Sequence, residues 1–163
     1  MWFGSPKNHA EIAIVANTLA RHAPGVTLEV VTHFAKPEQE TSARRSLDSG
    51  GVDWRFTEWS VEAQDAALRS AGIALLPSRN PLSSHNRITS TLLAGAWPVA
   101  SPVPGFEAFD GHAWLGDIAD GLKDYLADPM AKAQLILESQ PAIARAFAPE
   151  SCAKYWDKML SAL

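Results

Sequence analysis

The sequence has a single cysteine in 163 residues and no long apolar run. Cys152 therefore cannot form an intramolecular disulfide, which favours a reducing, cytoplasmic setting. No Cys-x-x-Cys or His-Glu-x-x-His spacing is present, and we expect no metal site. No stretch reaches the roughly 18 apolar residues of a membrane helix. The start, WFGSPKN, has neither the basic region nor the apolar core of a signal peptide, so we expect no membrane span and no targeting segment.

Glycine-rich nucleotide motifs are absent as well. The chain contains no Gly-x-Gly-x-x-Gly and no Gly-x-x-x-x-Gly-Lys-[Ser/Thr] run, which disfavours a nicotinamide enzyme and a P-loop NTPase. The Gly-x-Ser-x-Gly nucleophile elbow is also missing. These absences give no reason to expect a cofactor.

An excess of positive charge is likewise lacking. The formal net charge is -4 and the isoelectric point is near 5.7, so the chain has no general attraction for nucleic acid or for an anionic membrane. We therefore expect no nucleic-acid partner. Any site for an anion has to be local.

Alternation of short apolar runs with helical patterns is the main positive feature. Hydrophobic residues make up 47% of the chain and charged residues 20%, which is typical of one globular domain over residues 1–163. The strands are predicted at 2–4, 26–34, 52–57, 73–77, 98–101 and 112–116. Helices are predicted between them and from Asp117 onward, with breaks at Pro129, Pro141 and Pro149.

This alternation predicts an α/β fold, because neighbouring parallel strands need crossover connections and helices supply them. We expect a single Rossmann-like domain with a six-stranded parallel sheet in the order 3-2-1-4-5-6 and helices on both faces. In that order, strands 1 and 4 are neighbours at the point where the strand order reverses. Ligands of such folds bind beyond the carboxyl ends of those two strands.

One arginine stands in an unfavourable place. The stretch LSSHNRITSTLLAGAWPVASPVPG, residues 82–105, predicts a helix that Ser83 or Ser84 caps and Gly95 ends. Arg87 falls in its first turn, where the helix dipole disfavours a cation. A bound anion would resolve the conflict.

The predicted topology places a second basic residue nearby. Lys7 lies in the loop after strand 1, and Arg87 ends the loop after strand 4. Because these loops are side by side in the predicted order, two helix N-termini and both cations converge on one crevice. Such a crevice suits a diphosphate.

Eight side chains are candidates for binding at this crevice, and each has an ordinary structural alternative. Trp59 and Glu107 fit a base and a sugar hydroxyl, but they also fit core packing and a short helix start. Arg87 alternatively covers Trp97 or pairs with Glu107. The candidates are Lys7, Trp59, Ser83, Ser84, His85, Asn86, Arg87 and Glu107. The alternative for Lys7 is a solvated surface lysine. For Ser83, Ser84 and Asn86 it is capping of the helix, and for His85 it is a structural hydrogen-bonding role.

The stretch GIALLPSRNPLSSHNRITSTLLAGAWPVASPVPGFEAF resembles the donor-binding half of two-domain GT-B glycosyltransferases. In these enzymes a buried strand ending in proline leads through a polar loop to an Asn-Arg helix and then to an Ala-Gly-x-Pro-Val-x-Ala-Ser pattern. WFG at 2–4 and FTEW at 56–59 fit the same layout. The resemblance implies a nucleotide-sugar site, with the diphosphate at 83–87 and near Lys7, the base near Trp59 and the sugar toward Glu107.

The chain also departs from that family. Many retaining members have two glutamates before the Ala-Gly pair, and Leu82 and Ser90 stand at the matching positions. The Arg and Lys that such members place after strand 1 correspond here to Ser5 and Lys7. No catalytic residue can be assigned from the sequence, and neither can the base, the sugar, the acceptor or the stereochemical outcome.

Two functions are consistent with these features. The first is a glycosyltransferase domain that binds a nucleotide-sugar donor and stabilises the departing nucleoside diphosphate. The resemblance implies that the chain is the C-terminal half of such an enzyme and that the N-terminal, acceptor-binding half is missing, so the isolated domain is expected to be inactive. The alternative is a noncatalytic binding or interaction domain derived from a glycosyltransferase, which Leu82 and Ser90 favour.

The last helix is the second interaction feature of the sequence. Its apolar residues recur at helical spacing: Tyr155, Trp156, Met159, Leu160 and Leu163. We expect an exposed stripe there. In such enzymes this helix crosses to the other half, so in this chain it either self-associates or packs back on the domain.

Overall fold

A computed structural model describes residues 1–78, 80–81 and 83–161 of the chain. Strands and helices alternate as expected. The strands are β1 (Trp2–Phe3), β2 (Leu28–Thr32), β3 (Trp54–Glu58), β4 (Ile73–Leu76), β5 (Trp97–Ala100) and β6 (Trp114–Leu115). The helices are α1 (Ala10–His22), α2 (Pro37–Gly50), α3 (Val61–Ser70), α4 (Asn86–Ala94), α5 (Ile118–Ala127), α6 (Pro129–Ala146) and α7 (Pro149–Leu160), with short 3-10 turns at Pro6–Asn8 and Glu107–Phe109.

All strand pairs are parallel, which confirms the α/β Rossmann-like class. The strands form two three-stranded sheets, β1-β2-β3 and β4-β5-β6. The continuous six-stranded sheet of the prediction is therefore not confirmed. The two sheets meet at Met1, whose amino group donates to the Ile73 carbonyl at 2.7 Å and whose carbonyl accepts from the Leu75 N–H at 2.9 Å. Since β1 has only two residues, it offers little backbone for a longer ladder with β4.

Helices pack in two groups around the strands. One group joins α1 to α2 and α5, and the other joins α4 to α3 and α6. The core between them is built from the apolar residues that recur in each element, with Trp2, Ile12, Leu75 and Leu92 fully buried. The carboxyl ends of β1 and β4 consequently open toward the loops that lead into α1 and α4.

Of two helix ends predicted from the sequence, at Gly95 and at Pro141, the structure has only the first. Gly95 ends α4 in the left-handed conformation, with φ at 89°, as expected for a C-terminal glycine. The predicted break at Pro141 is wrong, because α6 runs through it from Pro129 to Ala146. Proline removes one hydrogen bond inside a helix. Here the buried side chains of Ile136, Ser139 and Ile143 hold the helix on the domain on both sides of that position.

Candidate functional site

A cavity of about 460 Å³ lies at the carboxyl ends of β1 and β4, where the sequence predicts a ligand site. It is open to solvent on one side and has a mixed polar and apolar wall. Its lining residues are Phe3, Gly4, Ser5, Asn8, His33, Trp59, Gln64, Asn80, Ser83, Ser84, Asn86, Arg87 and Ser90. Five of the eight candidate residues therefore meet in one place: Trp59, Ser83, Ser84, Asn86 and Arg87.

Arg87 is a lining residue of this cavity and is held by a carboxylate from another helix. Its Nη1 donates to Glu11 Oε2 at 2.8 Å, and the indole Nε1 of Trp2 donates to the same oxygen at 3.1 Å. The Arg87 guanidinium carbon also lies 5.5 Å from the ring centre of Trp2 and 5.6 Å from that of Phe3. The positive charge of Arg87, which is unfavourable at a helix start, is therefore paired with the Glu11 carboxylate. Neither alternative partner is used, since Lys132 covers Trp97 and Glu107 lies elsewhere.

The other edge of the guanidinium has no partner. Both Nε and Nη2 of Arg87 are buried, and neither is hydrogen-bonded within the described part of the chain. These two nitrogens point the same way and form the fork that binds carboxylate and phosphate groups in a bidentate manner. Burial lowers the pKa of Arg87, and the Glu11 carboxylate opposes that shift. An arginine remains charged under such conditions, so a residue of the cavity lining carries a buried cationic fork with no partner among the described residues.

The start of α4 adds a second anion-binding feature. His85 occupies the N-cap position but its side chain accepts no hydrogen bond from the helix. Ser84 Oγ accepts from the Asn86 N–H at 3.2 Å, and Ser83 Oγ shares a short hydrogen bond with Ser78 Oγ. The remaining first-turn N–H groups and the helix dipole favour a negative charge at this point.

The far end of the cavity is aromatic. Trp59 is 43% exposed and lies beside His33, with 6.3 Å between ring centres and a 50° angle between planes. Its indole Nε1 donates to Gln64 Oε1 at 2.9 Å, which fixes the indole plane. A flat, partly exposed ring next to an anion site is suited to stacking against a planar group.

Three candidates are not brought to the cavity. Lys7 lines a smaller neighbouring pocket of about 270 Å³ with Glu11 and Asn80. His85 turns away and packs against Phe109 and Phe147 in an aromatic cluster. These contacts indicate a packing role, and they do not match the hydrogen-bonding alternative, because His85 Nδ1 is buried without a hydrogen-bond partner among the described residues.

Glu107 is the third of these. It lines a separate pocket near Phe106 and Leu115, and its Oε2 accepts from the Gly105 N–H at 2.7 Å. This contact matches the alternative of a carboxylate that satisfies backbone N–H groups at the start of a short helix.

Several cavity residues were missed in the sequence, and some of them carried a signal. His33 comes directly after β2, so the rule applied to the ends of β1 and β4 would have found it. Asn8 and Ser5 follow β1 by the same rule. Gln64 lies in the first turns of α3, and its link to Trp59 depends on a side-chain contact that no spacing reveals.

No family model and no curated protein matches this sequence. Solved structures do match. The Anabaena protein HepE in complex with UDP superposes with a TM-score of 0.78 at 17% identity, over 99% of this chain. HepE with UDP and glucose gives 0.75 at 18% identity, and the catalytic domain of cholesterol-alpha-glucosyltransferase from Helicobacter pylori gives 0.65 at 11% over 88% of this chain.

The fold is shared with GT-B glycosyltransferases. The resemblance stated from residues 72–109 is thereby confirmed at the level of the fold. The chain spans about half the length of HepE, 48% in the complex with UDP and glucose, and 96% of the Helicobacter pylori chain. Of the two positions that are glutamate in many retaining enzymes, Ser90 lines the cavity, and Leu82 lies outside the described residues.

Two further searches of the described residues gave negative results. No helix there is both long and apolar enough to cross a membrane. No cluster of three or more His, Cys, Asp or Glu side chains is placed to hold a metal ion.

Proposed function

We propose that this chain is the nucleotide-sugar-binding half of a glycosyltransferase and that a donor diphosphate binds at the Arg87 fork. The observation that carries the proposal is that Arg87 lines the cavity and that its buried Nε and Nη2 have no hydrogen-bond partner among the described residues. Leaving buried donors unsatisfied is costly, and an oxoanion satisfies both at once. The start of α4, where the N-cap residue His85 accepts no hydrogen bond and Ser84 accepts only one, supports the same placement.

In this proposal the chain contributes electrostatic stabilisation. Negative charge develops on the nucleoside diphosphate as the bond to the sugar breaks. The Arg87 fork and the first-turn N–H groups of α4 would stabilise that charge more in the transition state than in the bound donor. The exposed face of Trp59 would stack on the base at the other end of the cavity. None of these roles needs proton transfer by this chain.

Replacing Arg87 with lysine tests the diphosphate site. Lysine keeps a positive charge near Glu11 but cannot form the fork. We expect Arg87→Lys to weaken the binding of uridine diphosphate by about tenfold or more, since a charge-assisted hydrogen bond contributes roughly 1.5 to 3 kcal/mol. Uridine, which lacks the phosphates, should bind both proteins equally. Calorimetric titration measures the affinity of each protein for uridine diphosphate and for uridine.

Arg21→Lys at the exposed end of α1 is the matched control and should bind as the wild type does. Equal affinity of Arg87→Lys and wild type for uridine diphosphate would contradict the proposed site. If the wild type binds no nucleoside diphosphate at millimolar concentration, the donor proposal fails. The noncatalytic domain, which Ser90 in the cavity favours, then becomes the better description.

The isolated chain should transfer no sugar. Positioning the donor against an acceptor supplies much of the rate of a two-substrate reaction, and this chain spans about half of HepE. We expect no product from UDP-glucose and a panel of sugar and lipid acceptors when products are followed by mass spectrometry. Measurable turnover by this chain alone would show that it carries a complete active site.

The last helix provides the remaining partner hypothesis. As expected, α7 has no buried residue, and Tyr155, Trp156, Met159 and Leu160 are exposed on it, while Leu163 lies outside the described residues. A short helix with an uncovered apolar stripe gains little from packing on its own domain. We propose that this stripe covers the missing acceptor half, and that without it the chain self-associates.

Light scattering across a concentration series tests self-association. The wild type should exceed the monomer mass at high concentration, and Trp156→Gln should reduce this because it removes the largest apolar side chain of the stripe. Met130→Gln, at a still more exposed apolar side chain of α6, is the control and should behave as wild type. A wild type that stays monomeric at every concentration would contradict self-association.

A further inference from the structure

We infer that Glu11 is a positioning residue, which fixes the orientation of the Arg87 fork toward the diphosphate; this inference rests on the proposed function. Glu11 is the second residue of α1 and is only 8% exposed. It approaches Arg87 from the side opposite to the unpartnered edge. The glutamate and the arginine are 76 residues apart in the sequence.

The contacts of Arg87 leave one edge for a ligand. One face of the guanidinium lies near the rings of Trp2 and Phe3, and Nη1 is taken by Glu11. Ring contacts restrain the plane of the group but not its rotation within that plane. The hydrogen bond to Glu11 restrains that rotation, and because it uses Nη1 it leaves Nε and Nη2 together as the edge without a partner among the described residues.

Glu11 is itself held in place. The indole of Trp2 donates to the same carboxylate oxygen that accepts from Arg87, and Trp2 is fully buried in β1. Gly4 follows directly, and a methyl group at Gly4 would lie 3.0 Å from the Trp2 ring and 3.6 Å from the Arg87 guanidinium carbon. A side chain at residue 4 would therefore crowd the Trp2–Glu11–Arg87 arrangement, and glycine avoids this.

The negative charge of Glu11 also acts on the ligand, and this effect weakens binding whereas positioning of the fork strengthens it. A negative charge next to Arg87 repels an incoming diphosphate. Positioning therefore predicts different results for two substitutions at the same residue. Glu11→Gln keeps an acceptor oxygen for Arg87 and Trp2 but removes the charge. Glu11→Ala removes both, so that Nη1 has no partner and the fork can turn.

The test is titration of uridine diphosphate into folded protein. We expect Glu11→Gln to bind at least as tightly as wild type, up to about tenfold tighter as the repulsion is removed. Glu11→Ala should bind about tenfold or more weakly, since the fork is no longer held. Glu38→Gln, an exposed carboxylate of α2, is the control for net charge and should match wild type. Uridine should bind all four proteins equally.

Two other patterns would overturn the inference. If both Glu11 variants bind more tightly, the residue acts only through its charge. If neither variant changes affinity in the folded protein, the Glu11–Arg87 pair is only structural.

A second measurement does not depend on the nucleotide. Nitrogen-15 relaxation of Arg87 Nε reports how rigidly the end of the side chain is held, and the side chain should be rigid in wild type and Glu11→Gln and more mobile in Glu11→Ala. An equally rigid Arg87 side chain in Glu11→Ala would overturn the inference even in a protein that binds no diphosphate. Conversely, a wild type that shows the restraint but binds no uridine diphosphate would contradict the proposed function alone.

Discussion

Replacing Arg87 with alanine should lower the free energy of unfolding by about 3 to 5 kcal/mol, the usual cost of removing one partner of a buried ion pair. The side chains of Arg87 and Glu11 are only 20% and 10% exposed, and their contact distance is 2.8 Å. Without Arg87, the Glu11 carboxylate stays buried with only the Trp2 indole as partner. Chemical denaturation at neutral pH measures the loss.

The sequence alone leads to the opposite expectation. A cation at a helix start is unfavourable, so the sequence by itself predicts that removing Arg87 leaves stability unchanged or slightly higher. The contact with Glu11 reverses that prediction, because the dipole effect of a few tenths of a kcal/mol is small beside a buried ion pair. Loss of stability is therefore compatible with a binding role for Arg87 and does not by itself identify a structural arginine.

Two further variants separate the loss of a buried ion pair from the loss of an exposed one and from the effect of an unpaired charge. Arg69→Ala removes an exposed pair with Asp65 on α3 and should change stability by about 0.5 kcal/mol or less. The double variant Arg87→Ala with Glu11→Ala should be less destabilised than the sum of the two single variants, because no unpaired charge is left. If Arg87→Ala were as stable as wild type, the Glu11–Arg87 pair would not form in solution.

The arrangement of elements could be predicted because its signals are local. Residues 28–32 are rich in β-branched residues, residues 73–76 are an apolar run between Gly72 and Pro77, and each became a strand. The break expected at Pro141 failed for a tertiary reason. Packing of Ile136 and Ile143 outweighs one lost hydrogen bond in an exposed part of α6.

The location of the candidate site followed from topology, but its detailed contacts did not. The rule that ligands bind where strands 1 and 4 end predicted the cavity that holds Arg87 and Ser84. The partner of Arg87 is Glu11, and a contact between residues 76 positions apart leaves no trace in spacing or composition. Lys7 and Glu107 were placed by loop membership alone, which does not determine which way a side chain points.

When residues 1–163 are expressed with a free amino group on Met1, the stability of that protein should depend strongly on pH. The amino group is buried where the two sheets meet and donates to the Ile73 carbonyl. Burial lowers its pKa from 8.0 to about 5, and the nearby Glu29 carboxylate only partly opposes this shift. Between those two values the unfolded chain holds a proton that the folded chain does not.

Stability should therefore rise as the pH increases from about 5 to 8 and should be lost as the pH falls. Three pKa units correspond to about 4 kcal/mol at most, since each unit is worth about 1.4 kcal/mol. The measurement is the free energy of unfolding by urea at several pH values in this range. A variant extended by Gly-Ser before Met1 has an amide at this nitrogen and the same histidines, so the difference between the two profiles isolates the amino group. A difference that stays constant from pH 5 to 8 would show that the amine keeps its proton in the folded protein.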